Sequence, residues 1–246
     1  MIWVETLIVL AVGCLVGFIN GVAGGASAIS FPVLLAVGLN PVSAAITNSL
    51  GVSASNFFAL ASQRSVLRKF WEEYKWLVFW SAFGAILGSF TLLAMPEDKF
   101  SKIVPFLLLF ASLSILIPLR PSDAFRTRKK ESGMIFASGF YCGYFGPGQG
   151  TMVIATLIRK RDAYTVNIAK NLIVGITGIF TSAIFLFSGR VNWWYFFLLF
   201  TGSNSGAFMS GKLSHKFPAI VLKRLVVTVG LFASAWLFNK YLLHWI

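Results

Sequence analysis

Carboxylates are scarce in this chain: 8 of 246 residues are Asp or Glu, against 21 Lys or Arg. Glu5, Glu72, Glu73, Glu97, Asp98, Asp123, Glu131 and Asp162 all fall at or near the ends of apolar runs. A carboxylate proton relay through a membrane, or a cation site built on Asp and Glu, therefore has no residues to use. The 2 histidines, His215 and His244, stand apart near segment ends, so no metal site is expected. The 2 cysteines, Cys14 and Cys142, sit inside apolar segments, which argues against a disulfide framework. No Ser/His/Asp set can be assembled, no Lys-Ser/Thr pair follows the glycine clusters, and no ATP-binding motif is present. We therefore expect neither an enzyme nor a cofactor.

What the chain does have is apolar length. Of its residues 57% are hydrophobic and 12% charged, with 25 Phe and 8 Trp. A soluble domain carries about twice that charge. Runs such as 74–95 and 102–119 suffice to cross a hydrocarbon core of about 30 Å, and they do not alternate as barrel strands would. The class is an all-α polytopic membrane protein. The first segment has no basic stretch before it and is read as retained, not as a cleaved signal peptide.

Glycine density marks two places inside these apolar runs. One is Asn20-Gly21-Val22-Ala23-Gly24-Gly25-Ala26-Ser27; the other is residues 141–151, YCGYFGPGQGT. Such clusters break a helix. Each is followed by a short apolar arm, then by a span carrying polar residues: Thr47 and Asn48 in the first half, Asn167, Lys170 and Asn171 in the second. Two further spans complete each half. Gly17, Gly21 and Gly24 match Gly139, Gly143 and Gly146 at a separation of 122, and one extra residue in the second cluster is expected to raise it to 123 thereafter. Two repeats are thus expected, at 1–119 and 132–246, joined by a hydrophilic linker at 120–131.

The basic residues orient the halves. Sixteen of the 21 lie in the loops at 64–75, 120–130, 159–161 and 212–224. The positive-inside rule places those loops in the cytoplasm, so the charge of +13 reports topology and not a nucleic-acid partner. The turn at Asn40-Pro41 then lies outside and its counterpart at 159–162 inside, which makes the repeats inverted. Residues 131–159 begin and end on the cytoplasmic side, so they form a hairpin dipping into the membrane. The expectation is a glycine-rich broken-helix hairpin plus three full spans in each half, or eight to ten hydrophobic segments by other counts. The central linker is cytoplasmic and the C-terminus outside, in a cell inner (cytoplasmic) membrane.

Broken helices at a repeat interface hold substrate in secondary transporters, and the positive helix ends face anions. The tips, Gly21, Gly24, Gly25 and Gly143, Gly146, Gly148, Gly150, would present arms beginning at Ser27 and near Gly150-Thr151. Lys170 lies about nine residues into its helix, roughly 13 Å deep. It either serves a site or snorkels back to the interface. Asn167 and Asn171 flank it, and amide donors beside a cation suit an oxyanion. Thr47, Asn48, Ser27, Gln149 and Thr151 complete the candidate substrate-binding set, each equally open to reading as a helix-packing group. Ser53, Ser55, Ser203, Asn204 and Ser205 read as packing. The partners expected are a small inorganic or organic anion and the lipid bilayer; proton coupling and homo-oligomer formation are open.

The doubled pattern Gly17-x3-Gly21-x2-Gly24-Gly25 with Pro32 and residues 45–49, and Gly139-x3-Gly143-x2-Gly146-Pro147-Gly148-Gln149-Gly150 with residues 167–171, resembles the TauE/SafE family of membrane transporters. Both copies depart from the family's fullest glycine run. The resemblance covers nearly the whole chain and implies transport of sulfite, organosulfonates or other small sulfur-containing or carboxylate anions. Secondary transport by alternating access is the expectation, with an anion channel or a non-transporting membrane assembly protein as alternatives.

Overall fold

A computed structural model describes residues 2–22, 24–60, 64–116, 127–158, 162–213 and 217–243. The first half contains α1 (Ile2–Val22), α2 (Ser27–Ala36), α3 (Pro41–Ser53), α4 (Ser55–Leu60), α5 (Arg64–Ala94) and α6 (Glu97–Leu116). The second contains α7 (Arg128–Tyr144), α8 (Gln149–Leu157), α9 (Ala163–Leu186), α10 (Trp193–Leu213) and α11 (Ala219–Phe238), with a π turn at Asn239–Leu243. Most of the expected linker, the basic loop at 159–161, His215 and His244 lie outside the described residues.

The chain is an all-α, multi-pass membrane protein. Among the described residues, five helices are long and apolar enough to cross a bilayer: Trp3–Val22, Leu67–Ala94, Glu97–Leu116, Tyr164–Leu186 and Ile220–Leu243. Their outward surfaces carry Phe79, Phe83, Phe90, Phe106, Phe110 and Phe232, all exposed, as lipid-facing side chains should be. Several segments differ from expectation: α1, expected as an arm of a hairpin, is one of these five, and α10, expected as a full span, is not. The first-half span expected to carry Thr47 and Asn48 is interrupted at Ala54, between α3 and α4. There Ser53 Oγ donates to Leu50 O, Ser55 Oγ to Val52 O and Asn56 Nδ2 to Ser53 O, so side chains engage backbone carbonyls at the break. The charged stretch expected as a loop at 63–75 is instead, from Arg64 on, the start of α5. Lys75 Nζ to Glu72 Oε2 at 2.6 Å is an i,i+3 pair that suits a helix.

Two helix pairs carry the tightest crossings: α1 on α10, and α7 on α5. A Cβ on Gly17 would stand 1.8 Å from Ser203 O, and one on Gly139 would stand 2.0 Å from Ser81 O. The reverse contacts match: a Cβ on Gly206 would meet Cys14 O at 1.9 Å, and one on Gly84 would meet Phe136 O at 2.2 Å. Every member of the first pair is 122 residues from its counterpart in the second (139 − 17, 203 − 81, 206 − 84, 136 − 14).

The same separation persists as far as Pro218. Asn40 caps α3 by accepting from Ser43 N at 2.7 Å, and Asp162 caps α9 by accepting from Thr165 N at 2.9 Å. The Thr165 backbone and hydroxyl bonds hold the Asp162 carboxyl below its ordinary range. Pro96 and Pro218 immediately precede α6 and α11. The rise to 123 expected after the second glycine cluster therefore does not occur, because the cap pairs stay at 122 (162 − 40, 165 − 43).

Candidate functional site

Each glycine cluster turns the chain between two helices with backbone that only glycine adopts freely. Gly24 and Gly25 have φ of 75° and 82°, and Gly146 and Gly148 have 97° and 101°. Asn20 Oδ1 secures the first turn by accepting from Ala26 N at 2.9 Å. The two turns touch, with Gly24 and Gly25 lying against Gly150 and Thr151. Between them and helices α3 and α9 is a cavity of about 60 Å³. That is room for a few waters or one small solute.

The helices that start at these turns are uncapped. Asn40, Thr127 and Asp162 supply side-chain caps to α3, α7 and α9, whereas Ala26 before α2 and Gly148 before α8 supply none. Ser27 and Gln149, the first residues of α2 and α8, both line the cavity, as do Gly148 and Gly150. Some first-turn N–H groups turn back onto the turns, Ala28 N donating to Gly25 O at 3.3 Å, Ile29 N to Ala26 O at 2.9 Å and Thr151 N to Gly148 O at 3.1 Å, and the helix ends still concentrate positive potential.

Lys170 reaches the cavity from α9 and is 1% exposed. Its Nζ donates to the backbone carbonyl of Asn20 at 2.9 Å, near the C-terminal end of α1. Asn167 Nδ2 donates to the next carbonyl, Gly21 O, at 3.3 Å. A cation at a helix C-terminus is in favourable potential, so part of the role of Lys170 is to tether α1. Among the described residues, however, no carboxylate pairs with it. An ammonium has three donors, and this bond takes one. Lys170 is buried in protein and does not snorkel.

Gln149, 2% exposed, donates through Nε2 to Ser81 Oγ at 3.2 Å and leaves Oε1 without a partner. Asn48 accepts from Ser30 Oγ at 2.5 Å. The cavity thus unites Ser27, Asn48, Gln149 and Lys170 with the tip residues Gly24, Gly25, Gly146, Gly148 and Gly150. The other expected residues lie off its wall. Thr47 Oγ1 accepts from Asn192 N at 3.0 Å, tying α3 to the turn before α10. Thr151 Oγ1 donates to Gly148 O at 2.7 Å and sits 3.1 Å from Ser114 Oγ on α6. Asn171 Oδ1 is buried without a partner, and Gly21 and Gly143 serve helix crossings.

Sequence reasoning missed Asn20, Ser49, Asn56 and Cys142 on the cavity wall, and took Ser53, which also lines it, for packing alone. A signal existed for some of them. Asn48, Val52 and Asn56 are 122 residues from Lys170, Val174 and Gly178, and all six face the cavity (170 − 48, 174 − 52, 178 − 56).

The profile of the sulfite exporter TauE/SafE family matches residues 9–237, nearly the full chain. The chain belongs to the TauE/SafE family. A probable membrane transporter protein of Haemophilus influenzae is 27% identical, covering 93% of this chain and 92% of its own length. The probable membrane transporter protein YfcA of Escherichia coli K12 is also 27% identical, over 96% and 91%. A probable membrane transporter protein, ORF9, of a Sinorhizobium species is 29% identical, over 87% and 85%. No solved structure matches the chain. TauE/SafE proteins are transporters and not enzymes. Among the described residues no three His, Cys, Asp or Glu side chains gather into a metal site.

Proposed function

We propose that this TauE/SafE protein is a secondary transporter of a small oxyanion, bound between the two glycine turns and released alternately to either side of the membrane. The observation that carries the reading is the wall of the cavity. It combines two helix N-termini without side-chain caps and a buried lysine that has no carboxylate partner among the described residues. Electropositive backbone and a spare ammonium in a low-dielectric site favour an anion. Gln149 Oε1 adds an acceptor that a protonated oxyanion or a bound water would satisfy. The small volume favours an inorganic anion such as sulfite, or a short sulfonate, over a bulky one.

Alternating access follows from reading the halves as inverted repeats. The recurrence of crossings and caps at 122 residues supports two copies of one unit, and the distribution of basic residues supports opposite insertion. Exchange between the two packings would open the site to one face and then the other. With no ATP-binding motif in the sequence, a substrate or proton gradient supplies the drive.

Purified protein in liposomes is expected to take up radiolabelled sulfite with saturation and with counterflow against unlabelled anion. Resolvable single-channel currents would replace the transporter by a channel, and no flux for any small anion would reject both. The repeat orientation has its own test. Asn40→Cys and Asp162→Cys, two exposed cap positions, should label with a membrane-impermeant maleimide from opposite faces of intact cells. Labelling from the same face would sink the inverted arrangement.

A further inference from the structure

A second, larger hollow lies away from this cavity, where α5 and α7 pack together. It measures about 740 Å³. Trp76 and Trp80 of α5 form one wall, and Phe136 of α7 faces Trp80 edge-on with ring centroids 6.3 Å apart. Arg128 and Lys129, in the first turn of α7, stand at its mouth. The Arg128 guanidinium is 5.8 Å from the centre of the Trp76 ring, so a cation is held directly against the aromatic wall. Gly133 faces open space and keeps the hollow wide.

Two buried polar atoms here lack partners. Trp80 Nε1 is a donor with no acceptor, and Ser132 Oγ is unpaired in a residue only 8% exposed. Both residues line the hollow. Orphaned buried donors cost stability unless a ligand or water engages them. Arg128, Lys129 and Lys130 outnumber Glu131 at this end of α7, and the helix N-terminus adds positive potential. The ligand that fits is therefore anionic at the mouth. It is apolar along the wall, because Phe79 and Phe83 continue the aromatic surface down α5 on its exposed side.

We propose that this groove binds one anionic phospholipid, its phosphate on Arg128 and Lys129 and an acyl chain along the aromatic face of α5. The geometry selects a lipid over a free phosphate because three aromatic rings line the wall and it opens onto lipid-facing phenylalanines. A segment of the same chain is a poor occupant by charge. Residues 117–126, which precede α7, carry Arg120 and Arg126 against a single Asp123. The site is independent of the anion cavity, so its failure leaves the transport reading untouched.

The test uses the full chain in nanodiscs doped with phosphatidylglycerol or phosphatidylcholine bearing brominated acyl chains. Bromine quenches tryptophan fluorescence on contact. Phosphatidylglycerol is expected to quench at a mole fraction at least about fivefold lower than phosphatidylcholine, since a basic residue at an anionic surface contributes roughly that factor. The preference should vanish at high salt, and in a folded Arg128→Gln/Lys129→Gln variant it should fall to parity. Equal quenching by both lipids in the wild-type protein would overturn the proposal whether or not the variant folds. Displacement of the brominated lipid by millimolar glycerol phosphate would also overturn it, in favour of a soluble phosphate ligand.

Discussion

Replacing Lys170 with methionine should lower the affinity for sulfite or a related oxyanion by about 10- to 100-fold while leaving the protein folded. The magnitude follows from losing one charge-assisted hydrogen bond of about 1.5–3 kcal/mol to the bound anion. Methionine keeps the apolar stem, which packs near Gly150. It leaves Asn20 O without its donor, but it also removes a buried cation that no described carboxylate balances. These effects on stability oppose each other, so the melting temperature should move little. The two roles of Lys170 therefore separate cleanly. If it only tethers α1 to α9, the variant binds anion normally, whatever its melt. If it serves the anion, calorimetry shows binding lost with the melt preserved. Binding within threefold of wild type would reject the substrate role. Lys170→Arg is expected to fall between, because a planar guanidinium does not fit readily into a cavity of about 60 Å³ beside Gly150.

How much of this was legible in the sequence depended on whether a side chain carried the signal. Glycine turns announce themselves, because positive φ at Gly24, Gly25, Gly146 and Gly148 is a demand few other residues meet. A lysine inside an apolar run does the same. The partner of Lys170 was invisible, since Asn20 O is a backbone carbonyl freed by the end of α1, and no residue type marks it. Register was the subtler loss. With a separation of 123, Thr47 matches Lys170; at 122, Asn48 does. One residue is a rotation of about 100° on a helix, enough to turn Thr47 away to Asn192 and bring Asn48 to the cavity. The same rotation removes Asn171 from the wall. The interruption at Ala54 was obscured because Ser53 and Ser55 read as packing residues on a span and Asn56 was passed over. Their bonds to carbonyls one turn back are what they do instead.

Gly17→Ala should prevent recovery of folded protein, and Gly21→Ala should fail in the same way but be rescuable. Helices in a bilayer gain nothing from excluding lipid tails and hold together by close packing, so the crossings of α1 on α10 and α7 on α5 depend on missing Cβ atoms. At Gly17 the new methyl would lie 1.8 Å from the Ser203 carbonyl oxygen and 2.5 Å from its carbon. Backbone cannot rotate aside, so the two helices must separate along their length. Overpacking of this kind costs several kcal/mol, of the order of about 3 or more, a large part of a typical stability. At Gly21 the obstacle is a side chain: Ser210 Oγ at 1.9 Å and Cβ at 2.8 Å, with the nearest backbone atom at 3.8 Å. Ser210→Gly removes it, so the Gly21→Ala/Ser210→Gly pair should run as a single peak in size-exclusion chromatography. Ser203→Gly should do nothing for Gly17→Ala, since the clashing carbonyl remains. Gly133→Ala, with open space around its added methyl, should melt within a few degrees of wild type. A folded Gly17→Ala protein with an unchanged melt would refute the crossing itself. The consequence for function is direct, because the Asn20 carbonyl that holds Lys170 lies in the last turn of α1. Any shift of that crossing moves one wall of the anion site.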